Sequence, residues 1–251
     1  MELKEFFEQH PKIALAFSGG VDSAYLLYAA STSGADVGVY YVKSQFQPEF
    51  EFSDAKKLAA QLGMKMTVIE KDILAYPDVA ANPADRCYYC KQQIMGGIIE
   101  RAARDGYREL MDGTNASDAS DDRPGMRVLQ ELKIYSPLRI CGLTKAQIRR
   151  LSKEAGLPTW NKPAYACLAT RVRTGETITD EKLEKIEKSE DILFGLGFTD
   201  FRVRMRGGSA LLQFTAEQSE KAADSFKVID KELGQYFDRV EIDAAAREKS
   251  V

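Results

Sequence analysis

The feature that most constrains the fold is a short apolar run that leads into two glycines and then into a helical pattern. Residues 13–17 have the length and apolar character of a buried strand, and Gly19 and Gly20 follow almost at once. Residues 22–31 then carry apolar side chains at helical spacing. Similar strand-then-helix units repeat through the first half of the chain. This alternation predicts an α/β fold with a doubly wound parallel sheet.

The pattern changes in the last third of the chain. The first part has further expected strands at 37–42, 64–69 and 108–112, and further expected helices at 50–62, 90–104 and 144–155. Residues 160–175 show little periodicity and are interpreted as a connecting loop. A compact α-β-β-α-β unit is expected from 180–195, 201–206, 210–214, 217–233 and 237–242. We therefore expect two domains, 1–168 and 169–251, the second contributing to the substrate site and to assembly.

Charge and hydropathy weigh against some partners. The 251 residues include 35 Lys and Arg against 38 Asp and Glu, so the chain lacks the basic excess typical of proteins that bind nucleic acid. No apolar run approaches the roughly 18 residues that a membrane-spanning helix needs. The first residues are charged and lack the features of a signal peptide. We expect a cytoplasmic protein with neither a nucleic-acid nor a membrane partner.

The six residues Ser18–Ser23 have the composition of a phosphate-binding turn. Gly19 and Gly20 allow the backbone to turn tightly and expose N–H groups, and the following helix N-terminus favours an anion. Ser18 and Ser23 add hydroxyl donors. Asp22 is unexpected beside an anion, so it is expected either to act through Mg²⁺ or to cap the helix. A capped turn without a ligand is the alternative, but the full hexapeptide favours a nucleotide site in the first domain.

The four cysteines allow three interpretations, two with a bound metal and one without. A reducing compartment disfavours structural disulfides. Cys87 and Cys90 form a C-x₂-C pair, Cys167 lies in an irregular segment flanked by arginine, and Cys141 has an apolar context typical of a buried structural residue. Zinc held by all four, an iron–sulfur cluster held by three, and no metal at all remain open. The lone histidine, His10, is expected to have no role in the chemistry.

The motifs together resemble a known family. Ser18–Ser23 is similar to the PP-loop of the ATP-pyrophosphatase superfamily, and it lacks the Gly-Lys-Ser/Thr element of a Walker motif. A longer series of motifs resembles the LarE family of ATP-dependent sulfur transferases, which act in the synthesis of the nickel-pincer nucleotide cofactor. The motifs that carry this likeness, which spans nearly the whole chain, are 82–91, 112–115, 123–125, 160–163, 166–171, 197–198 and 201–204.

The resemblance implies a reaction and a fold. It implies a PP-loop ATP-pyrophosphatase domain in which a carboxylate of pyridinium-3,5-biscarboxylic acid mononucleotide is adenylated, with ATP, Mg²⁺ and release of pyrophosphate. Sulfur transfer then gives the thiocarboxylate. Family members with only the counterpart of Cys167 sacrifice its sulfur, whereas members with three cysteines are similar in holding a 4Fe–4S cluster. Because this sequence has all three, Cys87, Cys90 and Cys167 are expected as cluster ligands, with sacrificial donation from Cys167 as the alternative. The resemblance also suggests a homo-oligomer.

Site residues follow from the motifs and the implied substrate. Catalytic roles are expected for Cys167 and Asp22. The nucleotide site is expected to comprise Ser18, Gly19, Gly20, Val21, Asp22, Ser23, Ser44 and Gly113. The implied substrate carries a phosphate and two carboxylates, and guanidinium groups suit such anions. The expected substrate-binding residues are Arg123, Arg171, Arg202, Arg204 and Glu190.

Three other functions fit parts of the sequence. PP-loop proteins with clustered cysteines also thiolate tRNA, although the acidic charge balance weighs against that. An amidating synthetase would use ammonia instead of sulfur and would not need the C-x₂-C pair. A non-enzymatic regulatory module would bind ATP and zinc without releasing pyrophosphate.

Overall fold

The computed structural model describes residues 1–118 and 124–248. The chain divides into two compact units, of which the first comprises Met1–Ser44, Glu49–Asp72 and Asp85–Lys162. The second comprises Gln45–Pro48, Ile73–Ala84 and the chain from Pro163 onward. The second unit thus includes two short segments from the first half of the chain. The domains expected at 1–168 and 169–251 stay a prediction, because this grouping does not test whether either part folds alone.

The first unit contains a parallel sheet whose strands lie in the order β3-β2-β1-β4. These strands are β1 (Lys12–Ala16), β2 (Asp36–Lys43), β3 (Met66–Glu70) and β4 (Leu110–Met111). The helices of this unit are α1 (Leu3–Gln9), α2 (Val21–Thr32), α3 (Glu49–Gln61), α5 (Arg86–Arg104), α6 (Pro124–Glu131), α7 (Pro137–Ile140) and α8 (Lys145–Glu154). The short α4 (Pro77–Ala80) belongs to the second unit.

Helices cover both faces of this sheet, which confirms the predicted doubly wound α/β fold. Ile13 and Leu15 of β1 pack into a core with residues of α1, α2 and α3. Ala14, which points to the other face, packs with Met95 and Ile98 of α5. Successive residues of a strand point to opposite faces, so a strand buried on both sides reads as a continuous apolar run. That is why the run at 13–17 predicts β1 so well.

The second unit is built on a mixed three-stranded sheet. Its strands are β5 (Arg202–Arg206), β6 (Ser209–Gln213) and β7 (Arg239–Ile242), with β5–β6 antiparallel and β6–β7 parallel. Helix α9 (Asp180–Gly195) has the bounds expected from the sequence. The single helix expected at 217–233 is wrong: α10 (Ala216–Asp224) and α11 (Phe226–Leu233) meet at Ser225. Neither glycine nor proline marks this break, so periodicity alone does not reveal it.

Two other differences bear on the site. Helix α5 begins at Arg86, earlier than the expected start at residue 90, so that Cys87 and Cys90 both lie within the helix. Helix α6 begins at Pro124 and is absent from the helices expected from the sequence. Two 3-10 turns, Pro158–Asn161 and Leu168–Arg171, lie in the segment expected as a loop. Within residues 1–118 and 124–248, the helices are all too short or too polar to span a bilayer.

The alternation along β5 gives a test of the core of the second unit. The Val203 side chain is 0% exposed, whereas Val228 on α11 is 48% exposed. We expect Val203→Ala to lower the free energy of unfolding by about 1.5–3 kcal/mol, because it removes buried methyl groups and leaves a cavity. The matched change Val228→Ala should alter it by less than about 0.5 kcal/mol. Equilibrium denaturation measures both, and equal effects would contradict this description of the core.

Candidate functional site

The turn between β1 and α2 approaches its neighbours so closely that it requires glycine. Gly19 has φ +73°, and a Cβ there would lie 2.6 Å from the Cβ of Ala55 on α3. Gly113, which follows β4, would place a Cβ 2.9 Å from the backbone nitrogen of Ser23. Contacts below 3 Å with backbone or with a short side chain leave no room for any other residue. The two glycines therefore allow the loop to pack between α3 and the end of β4.

Hydroxyl groups close the turn on itself. The Oγ atoms of Ser18 and Ser23 lie 3.0 Å apart, and the Ser23 hydroxyl donates to the carbonyl of Gly20 at 3.2 Å. The backbone N–H of Ser18 donates to the Ser23 Oγ at 3.3 Å. Gly20 is the N-cap of α2, so the N–H groups of the first helical turn point out of this loop. A preformed helix N-terminus of this kind binds phosphate.

Asp22 lies in this loop with one oxygen paired and one not. Its Oδ2 accepts a hydrogen bond from the Lys145 ammonium at 2.7 Å. Its Oδ1 is buried and has no hydrogen-bond partner among the described residues. Burial raises the pKa of Asp22, and the contact with Lys145 opposes this rise. Asp22 does not cap α2, because Gly20 occupies the N-cap position. Of the two roles expected for Asp22, binding a cation is the one that fits its unpartnered oxygen.

The carboxyl ends of the neighbouring strands supply the other nucleotide-site candidates. Ser44 follows β2 directly and is buried, and Gly113 follows β4. Asp112 accepts hydrogen bonds from Thr114 and from the Ser136 hydroxyl at 2.7 Å, and it lies 3.5 Å from the Lys91 ammonium. Because β2, β1 and β4 are adjacent and parallel, these residues and Ser18–Ser23 lie at one edge of the sheet. Asp112 fixes the turn that carries Gly113.

Cys87 and Cys90 lie in the first turns of α5. Cys87 is exposed and Cys90 is half-buried. Residues three apart on a helix share a face, so both sulfur atoms can reach one centre. The Arg86 guanidinium donates to the Cys87 Sγ at 3.7 Å, and the N-terminal end of a helix also favours a thiolate. Cys141, by contrast, is half-buried and packs against the hydrophobic core that includes residues of α1, α2 and α3. Burial raises the pKa of its thiol.

Cys167 lies in the second unit, in a segment whose backbone is tied down. The carbonyl of Cys167 accepts hydrogen bonds from the N–H of Thr170 at 3.0 Å and from its hydroxyl at 2.9 Å. The N–H of Leu168 donates to the carbonyl of Phe46 at 3.0 Å. The Arg171 guanidinium donates to the carbonyl of Ala166 at 3.0 Å. The half-buried Cys167 is thus held between fixed neighbours on both sides.

A buried ion pair anchors this segment. The Arg171 side chain is 1% exposed, and its Nε donates to Glu190 Oε1 on α9 at 2.8 Å. Glu190 also accepts hydrogen bonds from the backbone N–H of Val203 at 3.0 Å and from the Tyr165 hydroxyl. Burial is the largest single influence and opposes the positive charge of Arg171, but the charge and hydrogen bond of Glu190, with Tyr165 and Cys167, together raise the pKa of Arg171. Burial, and then the charge of Glu190, raises the pKa of Tyr165.

Arg202 and Arg204 lie half-buried on one face of β5, opposite the buried Val203. Arg204 donates to Gln213 and to the carbonyl of Thr170. The Arg202 guanidinium forms no hydrogen bond or ion pair with any residue in the part of the chain that the structure describes. Burial, together with the charges of nearby arginines, lowers the pKa of Arg202 to about 10. A half-buried cation among like charges favours an anionic ligand.

Comparisons with known proteins identify the family. No family model matches the chain. It is 35% identical over 222 residues to an uncharacterised protein of Synechocystis sp., covering 87% of this chain and 82% of that protein. It is 31% identical over 204 residues to the pyridinium-3,5-bisthiocarboxylic acid mononucleotide synthase of Lactiplantibacillus plantarum, covering 80% of this chain and 74% of the synthase. This chain belongs to the LarE family. The resemblance expected from its motifs and its class as a sulfurtransferase are thereby confirmed.

A more distant relative connects the LarE family to other PP-loop enzymes. The tRNA-specific 2-thiouridylase MnmA of Thermotoga petrophila is 23% identical over 188 residues, which cover 58% of this chain and 52% of that enzyme. The PP-loop domain expected from the sequence agrees with this match and with the parallel sheet.

The structure brings together part of the expected LarE-type site. Ser18–Ser23, Ser44 and Gly113 share the edge of one sheet. Cys87 and Cys90 belong to the first unit, and Cys167 belongs to the second. Among the described residues, no three His, Cys, Asp or Glu side chains are grouped as metal ligands. Arg123 lies outside the described residues.

Two residues at the site were missed by the sequence analysis. Lys145 and Asp22 are 123 positions apart, and nothing in a local pattern connects them. Tyr165 lies in the aperiodic segment that was interpreted as a loop, where its contact with Glu190 could not be read from spacing. The available signal for Lys145 was its place at the start of the helix expected at 144–155, directly after Thr144, which caps α8 in the structure.

The close approach at Gly19 gives a matched pair of variants. Gly19 and Gly63 have similar positive φ angles of +73° and +68°, but a Cβ at Gly63 would meet nothing within 4 Å. Both changes to alanine carry the same backbone strain, of about 1 kcal/mol. Only Gly19→Ala displaces α3 from the loop, and we expect it to weaken ATP binding at least tenfold in calorimetric titrations. Equal ATP affinities for Gly19→Ala and Gly63→Ala would contradict this role of the loop.

Proposed function

We propose that this chain adenylates a carboxylate of pyridinium-3,5-biscarboxylic acid mononucleotide with ATP and then replaces the activated oxygen with sulfur. The product belongs to the synthesis of the nickel-pincer nucleotide cofactor. The observation that carries the proposal is the preformed phosphate-type loop, in which Asp22 Oδ1 has no partner among the described residues, in a chain of the LarE family. This loop suits a reaction in which pyrophosphate is the leaving group.

The first step forms a mixed anhydride. A carboxylate oxygen of the substrate bonds to the α-phosphorus of ATP, and the bond from that phosphorus to the bridging oxygen breaks. The electron pair leaves with pyrophosphate. The N–H groups at the start of α2 and the hydroxyls of Ser18 and Ser23 bind the β- and γ-phosphates and stabilise the charge that develops there. Ser44 and Gly113 are assigned to the nucleoside side of ATP.

Asp22 fits a role in holding Mg²⁺. Its Oδ1 is buried without a partner in residues 1–118 and 124–248, and Mg²⁺ prefers carboxylate oxygens together with phosphate oxygens. When bound, Mg²⁺ would neutralise part of the phosphate charge. Lys145 contacts Oδ2 of the Asp22 carboxylate. The other oxygen, Oδ1, is the one that would contact Mg²⁺.

The substrate's anionic groups are assigned to β5. Arg202 supplies a half-buried guanidinium without a partner among the described residues, and Arg204 lies on the same face. We assign Arg171 and Glu190 a positioning role, because their charges pair with each other and hold the Cys167 segment next to β5. Arg123 keeps its assignment to the substrate from the sequence alone.

Cys87, Cys90 and Cys167 are the ligands that we propose for a 4Fe–4S cluster. Cys87 and Cys90 share one helix face beside a guanidinium, and Cys167 lies in a segment with a fixed backbone. Bound there, such a cluster would carry the sulfur that is transferred. In the transfer step, sulfur at the sulfide level bonds to the carbonyl carbon of the adenylate, the bond from that carbon to the AMP oxygen breaks, and AMP leaves with the electron pair. Direct donation from Cys167 is the second route: its Sγ forms the same bond, and loss of the Cα proton then breaks the Cβ–Sγ bond and leaves dehydroalanine. This route needs neither Cys87 nor Cys90.

The tRNA-thiolating alternative has one observation in its favour, the match to the thiouridylase. That match covers 58% of this chain, against 80% for the match to the LarE-type synthase. The net charge of −3 also lacks the basic excess that tRNA binding favours. We therefore propose a small anionic nucleotide as the substrate and no nucleic-acid partner. The homo-oligomer expected from the family is part of the same proposal.

The two chemical steps can be separated by cysteine variants. With ATP and pyridinium-3,5-biscarboxylic acid mononucleotide, we expect anaerobically purified protein to release pyrophosphate and to form the thiocarboxylate, each measured by mass spectrometry. Cys87→Ala and Cys90→Ala should abolish the sulfur product but retain pyrophosphate release. Cys141→Ala is the matched control and should retain both activities. Pyrophosphate release that requires tRNA instead would contradict the proposed substrate.

The same protein samples decide the sulfur route. About four irons per chain, lost from the Cys87, Cys90 and Cys167 variants and kept in Cys141→Ala, would support the cluster. A single zinc per chain would contradict it. A mass loss of one sulfur at Cys167 after turnover, in a protein without iron, would establish sacrificial donation.

Arg202, which has no hydrogen-bond or ion-pair partner among the described residues, gives a prediction with opposite effects on binding and on stability. In the folded protein the pKa of Arg202 is lowered to about 10, so folding disfavours its charged form. The resulting loss of stability is fully present at neutral pH, and it disappears only as the pH rises through about 10. We expect Arg202→Met to raise the melting temperature at pH 7 and to weaken substrate binding at least tenfold. Arg206→Met, at the exposed end of the same strand, is the control and should change neither. A lower melting temperature for Arg202→Met would contradict this account.

A further inference from the structure

The Lys162 ammonium joins the end of the first unit to two acids of α3. It lies 3.0 Å from Glu51 Oε1 and donates to Asp54 Oδ2 at 3.0 Å. The side chains of Lys162 and Glu51 are 19% and 14% exposed, so most of this contact is shielded from water. Shielded ion pairs are weakened less by salt than exposed ones. Lys162, Glu51 and Asp54 are together called the Lys162 clamp.

The clamp holds the end of α3 that apolar packing constrains least. The buried residues of α3 are Ala55, Leu58 and Ala59, all beyond its first turn. Helix α3 also begins directly after residues 45–48, which belong to the second unit. The ion pairs of Glu51 and Asp54 with Lys162 therefore fix the part of the helix that its buried side chains leave least constrained.

This part of α3 lies against the phosphate-type loop, Ser18–Ser23. Gly19 approaches Ala55 so closely that a Cβ on Gly19 would lie 2.6 Å from the Cβ of Ala55. Glu51 is four positions before Ala55, and residues four apart lie on the same face of a helix. A displacement of α3 at the clamp therefore changes the packing of Ala55 on Gly19, and with it the position of the loop.

Helix α8 fixes the backbone from which Lys162 reaches α3. The Arg149 guanidinium donates to the carbonyl of Trp160 at 2.8 Å and to that of Lys162 at 3.0 Å. The Lys153 ammonium lies over the Trp160 ring, 4.7 Å from its centroid. Ile148 packs into the core with residues of α2, the helix that follows the loop. Lys162 thus connects a helix packed on α2 with the helix packed on Gly19.

We propose that Lys162 is a positioning residue that holds α3 against the phosphate-type loop and thereby sets the affinity of the loop for ATP. This inference rests on the proposed adenylation. Lys162 acts through α3 and does not contact ATP. A loop that is already fixed has little freedom to lose when phosphate binds. Without the clamp, part of the binding free energy is spent on ordering the loop, so binding of ATP weakens more than turnover of bound ATP.

Two simpler roles for Lys162 lead to different results. Burial raises the pKa of Glu51 and Lys162 opposes this rise, so one role is to compensate a buried charge. In that case, Glu51→Gln would restore ATP binding to a Lys162→Met variant. The other role is direct contact with phosphate. Then Glu51→Gln combined with Asp54→Asn would free the cation, remove two negative charges and strengthen ATP binding. The clamp predicts weak binding in both variants.

The test measures ATP binding to the full chain by calorimetry with Mg²⁺ and amide hydrogen exchange of residues 18–23. We expect Lys162→Met, and separately Glu51→Gln combined with Asp54→Asn, to weaken ATP binding about tenfold and to speed exchange in the loop. Lys162→Arg should recover part of the affinity. In assays of pyrophosphate release, the KM for ATP should rise about tenfold in these variants, while kcat changes less than about threefold.

The contact between Lys43 and Glu49 is the matched control on the same helix. The Lys43 ammonium lies 3.2 Å from Glu49 Oε2, but the Glu49 side chain is 72% exposed. Because exposed ion pairs contribute little, Lys43→Met and Glu49→Gln should each keep the ATP affinity within about twofold of the wild type. Hydrogen exchange in residues 18–23 should also match the wild type in both.

Unchanged or tighter ATP binding after the combined change of Glu51 and Asp54 would overturn the proposal. Wild-type affinity in Lys162→Met with Glu51→Gln would overturn it too. If Lys162→Met does not fold, the combined amide variant decides, because it keeps the cation and the size of both side chains. Failure of the proposed function looks different. Pyrophosphate release that does not depend on pyridinium-3,5-biscarboxylic acid mononucleotide, or a wild type that binds no ATP, would contradict that function, while exchange in residues 18–23 still tests the clamp.

Discussion

The arrangement of the second unit depends on the buried carboxylate of Glu190. Desolvating a carboxylate and a guanidinium is costly, and their attraction offsets this only when the remaining hydrogen bonds are also made. Here Arg171, Tyr165 and the backbone of Val203 supply those bonds. Removing one partner of such a pair typically costs about 3–5 kcal/mol, because a buried charge is left behind. One acid thereby fixes the segment that carries Cys167 against the strand that carries Arg202.

The first unit is organised by a steric constraint instead. The missing side chains of Gly19 and Gly113 let α3 and the end of β4 come into contact with the turn, and the two serine hydroxyls close it. A loop packed in this way has little freedom to lose when phosphate binds. Oδ1 of Asp22, which no other residue of the described chain contacts by a hydrogen bond, lies where a cation is useful for phosphate chemistry.

Much of the fold was predictable from periodicity, and the pairing of charges was not. Strand β1 and helices α8 and α9 match the expected ranges closely, because apolar spacing and caps are local signals. The break at Ser225 carries no such signal. Arg171 and Glu190 were both predicted to face the substrate, since a sequence shows charges without showing which charges meet. Lys145 was missed for the same reason, as only folding brings it to Asp22.

The two short segments of the second unit, Gln45–Pro48 and Ile73–Ala84, have a consequence for how the protein folds during synthesis. The carbonyl of Phe46 receives the N–H of Leu168, and Asn82 binds the backbone around Arg173 and Gly175. These early segments leave the ribosome long before their partners are made. Their partners lie beyond residue 163, so these contacts of the second unit can form only late in translation, and they join segments from the first half of the chain to its last third.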